Sequence, residues 1–135
     1  MAGQAGVIWI GGGFAGVSRL GDFREYRERM NARLLETDNL DLKRFFALDD
    51  RAYHEGALSK GTKELLGLVA SMVLRCDDCV SYHLIGCKRE GFSDDQIMEA
   101  LTISMVVGGS ITIPHMRRAV DFMDELSAEA DASRE

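Results

Sequence analysis

At 135 residues and 46% hydrophobic content, the chain is long enough for one domain with a real but modest core. Its 16 Lys and Arg against 22 Asp and Glu give a net charge of −6, and no basic stripe is interleaved with aromatic residues, so we expect no nucleic-acid partner. The longest apolar stretch, residues 5–17, is shorter than the roughly 20 residues of a membrane span and lacks a basic leading segment. We therefore expect a cytoplasmic protein with no membrane partner.

The first 21 residues differ from the rest of the chain, because they are rich in glycine and carry no helical pattern. Gly11, Gly13 and Gly16 form a G-x-G-x-x-G sequence after a short β-like run. A dinucleotide site also requires a helix that begins at these glycines and a second strand within about 30 residues, whereas a long helical pattern follows from Asp22. We therefore predict a flexible, dispensable N-terminal extension over residues 1–21 and no cofactor.

Apolar residues recur at helical spacing through the rest of the chain, and turn residues divide the pattern into about six helices. No alternation typical of strands follows the N-terminal run. The sequence therefore predicts an all-α, single-domain bundle over residues 22–127, followed by a frayed tail over residues 128–135, which are small and charged. The predicted helices begin at Asp22, at Asp41, at Ser59 or Thr62, near Cys76, at Ser93 and near Pro114.

The clearest helix boundaries lie in the C-terminal half. Ser93 is a predicted N-cap, and Gln96 three residues later completes a capping box. The pair Gly108-Gly109 ends that helix. Pro114 is the only proline and suits the first turn of the last helix, where a backbone N–H is not needed.

The chain carries more apolar surface than six short helices can cover. Apolar residues cluster at Phe45-Phe46 and from Met105 to Ile113. A domain of this size buries only part of the surface of its unfolded chain. We therefore expect a homo-oligomer.

All three cysteines lie in one segment together with a histidine. Cys76, Cys79, His83 and Cys87 follow one another at spacings of three, four and four, which places them on one stripe of a helix. A C-x-x-C pair in a reducing compartment serves redox chemistry, metal ligation or packing. We favour a redox dithiol without a metal, because ligands along one helix face diverge and disfavour zinc. Cys87 is expected to pack as a small hydrophobic residue.

His83 follows Cys79 by four residues, so on a helix its imidazole can take the thiol proton or stabilise the thiolate. Asp77 and Asp78 are typical of a first helical turn. A helix that restarts near Cys76 would point backbone N–H groups at the sulfurs and lower the pKa of the thiols.

Glu64 is out of reach of this segment in one straight helix. It precedes Cys76 by twelve residues, which corresponds to about 18 Å along the axis and about 120° around it. A break near Arg75 would be needed to bring its carboxylate to the cysteines.

These residues resemble the alkylhydroperoxidase D-like (AhpD-like) branch of the carboxymuconolactone decarboxylase family. The shared motif is a glutamate, eleven residues, C-x-x-C, three residues and a histidine, which are here Glu64, Cys76, Cys79 and His83. These four residues agree with the family motif in type and in spacing, so the motif is specific. The likeness extends over about residues 40–125.

The resemblance implies an all-helical subunit that assembles as a homotrimer or homohexamer. It also implies a thiol-dependent oxidoreductase that reduces a small peroxide or disulfide and is recycled by an external dithiol or reductant protein. By that likeness Cys79 is the attacking thiol, Cys76 is the resolving thiol, and Glu64 with His83 forms a proton relay.

The sequence departs from the best-known members of that branch between the two cysteines. Those members have a histidine there, whereas this chain has Asp77-Asp78, so the role of that second imidazole is missing. His115 is expected to cap the last helix or lie at an interface. Two other classes stay open: a non-enzymatic helical metal-binding or scaffold module, and a carboxymuconolactone decarboxylase-type lactone enzyme. Thiols that titrate below the ordinary cysteine range would favour the redox enzyme.

Overall fold

The computed structural model describes residues 18–135, and within that range it contains six α-helices and no strand, which confirms the predicted all-α class. A short 3-10 turn, Ser110–Thr112, precedes the last helix. The helices are α1 Arg19–Leu35, α2 Leu40–Ala52, α3 Lys60–Val73, α4 Asp77–Arg89, α5 Asp94–Gly108 and α6 Ile113–Ala132.

Helices α3 and α4 form the centre of the bundle. α3 packs on α4 and α5, and α4 also packs on α6, which α1 covers from the other side. The rings of Phe23 in α1 and Phe122 in α6 meet edge-on, with centroids 5.7 Å apart. Burying one large apolar side chain stabilises a fold by about 1.5–3 kcal/mol. The core that these helices share is built from Leu68, Met72, Val80, Leu84, Ile97, Leu101, Ala119, Phe122, Met123 and Leu126.

Helix α5 begins and ends where the sequence predicts. The Ser93 hydroxyl accepts from the backbone N–H of Gln96, and the Gln96 side chain accepts from the backbone N–H of Ser93, so the capping box is present. Gly109 follows the helix with φ at +83°, a left-handed conformation that glycine adopts without a steric penalty. Pro114 lies in the first turn of α6, as expected.

The N-terminal boundary differs from the prediction, because α1 begins at Arg19 and its N-cap is Ser18 rather than Asp22. The Glu125 carboxylate of α6 accepts from the Ser18 hydroxyl and from the backbone N–H groups of Arg19 and Leu20. The Leu20 side chain is buried in the core. Residues 18–21 therefore belong to the bundle, and the glycine-rich motif lies outside the described residues.

The C-terminal boundary also differs, because α6 continues to Ala132 and the predicted frayed tail is helical over most of its length. Arg24 of α1 donates to the Glu129 carboxylate at 2.7 Å, and this hydrogen bond holds the pKa of Glu129 below its ordinary value. The pair ties the last turns of α6 to α1.

Much apolar surface stays exposed on this chain. No residue of α2 is buried, and Phe45 is 67% exposed. A second apolar group at the end of α5 and the following turn includes Val106, Val107 and Ile111, which are all exposed. These patches coincide with the two clusters from which the sequence predicts an oligomer. None of the described helices combines the length and hydropathy of a membrane span.

Candidate redox site

A turn at Arg75 brings the two halves of the predicted motif together. Arg75 has a φ of +60°, and the chain reverses there between α3 and α4. The backbone N–H of Cys76 donates to the carbonyl of Ser71 across this turn. The break that the sequence required for Glu64 is therefore present, and α4 packs back along α3.

Cys76 is the N-cap of α4. Its sulfur accepts from the backbone N–H of Cys79 at 3.3 Å, so it occupies the position where a serine or aspartate oxygen usually caps a helix. The two cysteines form a disulfide with their Cα atoms 5.3 Å apart. After reduction, the Cys76 sulfur would remain at the positive end of the helix dipole, which favours its thiolate.

Glu64 and His83 form a buried pair between α3 and α4. The Nδ1 atom of His83 lies 2.8 Å from Oε2 of Glu64, and both side chains are less than a tenth exposed. An ionised carboxylate only accepts, so Nδ1 carries the hydrogen and donates it. Nε2 then faces away from Glu64 towards a second partner.

Tyr53 contacts that second nitrogen and was not anticipated from the sequence as a site residue. Its hydroxyl lies 3.3 Å from Nε2 of His83, and their rings lie 5.1 Å apart. Burial, together with the Asp49 and Glu64 carboxylates, raises the pKa of Tyr53, so the hydroxyl keeps its proton and can donate. Lys63 anchors the segment that carries Tyr53, because its ammonium group donates to the carbonyls of Ala52 and His54 on either side of it.

The expected direct contact from His83 to Cys79 is not formed in this oxidised state. Within residues 18–135, the two ring nitrogens of His83 bond to Glu64 and Tyr53, and neither bonds to a sulfur. Before Nε2 of His83 can exchange a proton with Cys79, its hydrogen bond to Tyr53 must open, or the Tyr53 hydroxyl must relay the proton.

Two glycines make room for the buried pair. A Cβ atom on Gly86 of α4 would lie 2.4 Å from the Glu64 carboxylate, and one on Gly67 of α3 would lie 2.6 Å from the His83 ring. Each glycine lies three residues after the site residue of its own helix and faces the site residue of the other helix. The spacing Glu-x-x-Gly and His-x-x-Gly is the sequence signal that could have indicated this packing.

Cys79 opens into a cavity of about 720 Å³ between α1, α2 and the first turns of α4. Cys79 is exposed, whereas Cys76 is half-buried. Aromatic and aliphatic side chains of α1, including Phe23, Tyr26 and Met30, line one wall. A molecule in this cavity reaches Cys79 as the accessible sulfur of the pair.

Two further candidates, Cys87 and His115, form no bond to the disulfide within residues 18–135. Cys87 is fully buried, and burial raises the pKa of its thiol to about 12, so it stays protonated at neutral pH and packs as expected. His115 bonds to the Asp77 carboxylate at 2.7 Å, and Arg118 bonds to the other oxygen of Asp77. These two α6 side chains fix the first turn of α4.

The sequence profile of the carboxymuconolactone decarboxylase family matches residues 40–122, which is more than half of the chain. The chain belongs to the carboxymuconolactone decarboxylase family. The matched range contains Glu64, both cysteines of the pair, His83 and Tyr53.

Several known proteins resemble the chain in fold or in sequence. One similar crystal structure is that of a carboxymuconolactone decarboxylase family protein from Thermotoga maritima, which has a possible involvement in the antioxidative response. Its sequence is 52% identical to this chain, and the two structures superpose with a TM-score of 0.80 over 84% of this chain and 97% of that one. An uncharacterised protein of the cox locus of Paracoccus denitrificans is 33% identical over 61% of this chain and 74% of its own. The crystal structure of a family member from Legionella pneumophila shares the fold, with a TM-score of 0.59. Its sequence is 21% identical, and the match covers 79% of this chain and 88% of that one.

Within residues 18–135, no group of three or more His, Cys, Asp and Glu side chains is arranged to hold a metal ion. The acidic partner of His83 is Glu64 alone, and the cysteines bond to each other. The expectation of a metal-free protein stays a prediction for elemental analysis.

Proposed function

We propose that this carboxymuconolactone decarboxylase family protein is a thiol-dependent oxidoreductase of the alkylhydroperoxidase D-like branch. The observation that carries the proposal is an exposed disulfide sulfur, Cys79, in a cavity one helical turn from the buried Glu64–His83 pair. The possible involvement of the Thermotoga maritima relative in the antioxidative response supports the same chemistry. The proposal places the protein in the reducing cytoplasm, where the disulfide can be recycled.

The proposed cycle begins with both cysteines reduced. The Cys79 thiolate attacks the terminal peroxide oxygen, the O–O bond breaks, and the leaving oxygen takes a proton to give an alcohol or water. Cys79 is then a sulfenic acid. The Cys76 thiolate attacks its sulfur, the S–O bond breaks, and the departing hydroxide is protonated to water as the disulfide forms.

Recycling needs two electrons from an external dithiol. A thiolate of the reductant attacks the accessible Cys79 sulfur, and Cys76 leaves as a thiolate that the Cys79 N–H already contacts. The second thiol of the reductant resolves the mixed disulfide and releases Cys79. The Glu64–His83 pair accepts and returns the proton that is exchanged at these steps.

A steady-state assay tests this function. Wild-type protein should consume an organic hydroperoxide with dithiothreitol as the electron donor, and Cys79→Ser should lose this activity. Cys87→Ser is the matched control, because that thiol is buried away from the cavity, and it should keep the activity. Wild-type protein that consumes no peroxide or disulfide substrate would contradict the proposal, and turnover of a lactone without thiol dependence would favour the decarboxylase alternative.

We also propose that the protein forms a homotrimer or homohexamer. The exposed side chains of α2 and of the segment after α5 support association, because contiguous apolar surface is unfavourable in water. Light scattering at micromolar concentration should give three or six times the chain mass, and a monomer mass would contradict this.

A further inference from the structure

The cavity at Cys79 carries an excess of negative charge. Four aspartates and two arginines are among its lining residues. The four are Asp22 of α1, Asp49 of α2 and the first-turn residues Asp77 and Asp78 of α4. Apolar and aromatic side chains make up much of the remaining wall. Because Cys79 lines the same cavity, a substrate that reaches its sulfur passes these charges.

The two arginines offset this charge only in part. Arg19 pairs with Asp121, which lies outside the cavity, at 3.0 Å. Arg27 lies over the face of the Tyr82 ring, 4.4 Å from its centroid, and its positive charge offsets one carboxylate of the cavity lining. Asp77 is paired with Arg118, which also lies outside the cavity lining.

Three carboxylates are left without an ion-pair partner in the described part of the chain. Asp22, Asp49 and Asp78 form no salt bridge within residues 18–135. Residues 1–17 contain no charged side chain, so that segment supplies no lysine or arginine to them. Asp78 is adjacent to Cys79 in the sequence and stands between the two cysteines.

We propose that this cavity selects neutral or cationic substrates and reductants over anionic ones. The dithiol that reduces the Cys76–Cys79 disulfide therefore carries no negative charge beside its sulfurs. This inference rests on the proposed function, because it concerns the molecules that meet Cys79. The attacking thiolate bears one negative charge in every case, so the additional charge of the reductant decides its rate.

Coulomb's law gives the size of the effect. Asp22, Asp49 and Asp78 together with Arg27 leave two net negative charges. At about 8 Å from an incoming carboxylate, two such charges slow its approach by about fivefold at low ionic strength, and salt reduces the factor to about twofold or less at 0.5 M. An acidic reductant such as glutathione should thus be a poor donor.

Two matched reagent pairs measure this charge effect. The first pair attacks the disulfide: 2-mercaptoethanol carries no charge beyond its thiolate, and 3-mercaptopropionate adds one carboxylate. The second pair alkylates Cys79 in reduced protein: iodoacetamide is neutral, and iodoacetate is anionic. Each reduction rate is divided by the thiolate concentration of the reagent, which corrects for differences in thiol pKa. Each alkylation rate is divided by the rate of the same reagent with a small reference thiol, which corrects for intrinsic reactivity.

Wild-type protein should disfavour each anionic reagent by about fivefold at low salt. Asp78→Asn and Asp49→Asn should each reduce this ratio by about twofold, because each removes one negative charge from the cavity lining. Asp95→Asn on α5 is the matched control, because it removes one charge away from the cavity, and it should leave the ratio unchanged.

Equal rates for the neutral and anionic reagents at low salt would overturn the inference, as would Asn variants that leave the ratio at the wild-type value. The alkylation arm does not require turnover. A charge preference in a protein that consumes no peroxide would therefore refute the proposed function and keep this inference, and an active protein with no preference would do the reverse.

Discussion

Gly86→Ala should destabilise the protein, although alanine is the better helix former. Gly86 lies inside α4, and helix propensity alone would favour alanine by about 1 kcal/mol. The added Cβ would lie 2.4 Å from Oε2 and 2.5 Å from Cδ of Glu64. Ordinary contacts begin near 3.4 Å, so the carboxylate must move by about 1 Å.

That displacement breaks the hydrogen bond between Glu64 and Nδ1 of His83, which is 2.8 Å long in the wild type. Hydrogen bonds to charged groups contribute about 1.5–3 kcal/mol, and an unpaired buried carboxylate adds a desolvation cost. After the gain in helix propensity is subtracted, we expect a loss of about 1–3 kcal/mol and a fall in Tm of roughly 4–10 °C.

Urea unfolding followed by circular dichroism measures this change. Gly21→Ala in α1 is the matched control, because its Cβ would contact only Ser18 at 3.5 Å, and it should be neutral or slightly stabilising. Glu64→Ala in the Gly86→Ala background should remove the clash, so the two losses should not add. A Gly86→Ala protein as stable as the wild type would refute this account of the buried pair.

Three further predictions concern other parts of the chain. Tyr53→Phe keeps the ring but removes the hydroxyl from Nε2, so stopped-flow assays should show a peroxide reaction slower by about tenfold with little change in Tm; an unchanged rate would exclude a role for this hydroxyl. The raised pKa of Cys87 predicts that its contribution to stability is constant below about pH 9 and falls by about 1.4 kcal/mol per pH unit as pH rises towards 12. Cys87→Ala with the Cys76–Cys79 disulfide intact should therefore lose less stability per pH unit than the wild type in urea unfolding over this range, and identical slopes would contradict the prediction. Leu20→Ala should lower the unfolding free energy by about 2–3 kcal/mol, because the Leu20 side chain is buried in the core. An unchanged free energy would instead support the sequence prediction that the folded domain begins after residue 21.

The local features of this fold could be read from the sequence because each depends on neighbouring residues. The capping box at Ser93, the stop at Gly109 and the proline in the first turn of α6 involve contacts within four residues. The first boundary was placed wrongly because Ser18 is stabilised by Glu125 of α6, more than a hundred residues away. Sequence periodicity contains no information about such a partner.

The residues of the site could be predicted from their motif, but their arrangement in space could not. The spacing of Cys76, Cys79 and His83 indicated one helix, whereas the approach of Glu64 depends on a left-handed turn at Arg75, which a non-glycine residue rarely adopts. Tyr53 reaches His83 from the end of α2, a helix with no buried residue to mark its position.

The central claim is that Cys79 is the thiol that attacks peroxide. Its most direct test is a single-turnover reaction of reduced Cys76→Ser protein with one equivalent of hydroperoxide, followed by dimedone trapping and peptide mass mapping. The account predicts a trapped sulfenic acid on Cys79 and none on Cys87, and it predicts a Cys76–Cys79 disulfide in wild-type protein under the same conditions. A sulfenic acid trapped on Cys76 in reduced Cys79→Ser protein, formed as fast as the wild-type reaction, would contradict the claim, because the helix N-terminus rather than the cavity would then select the thiol.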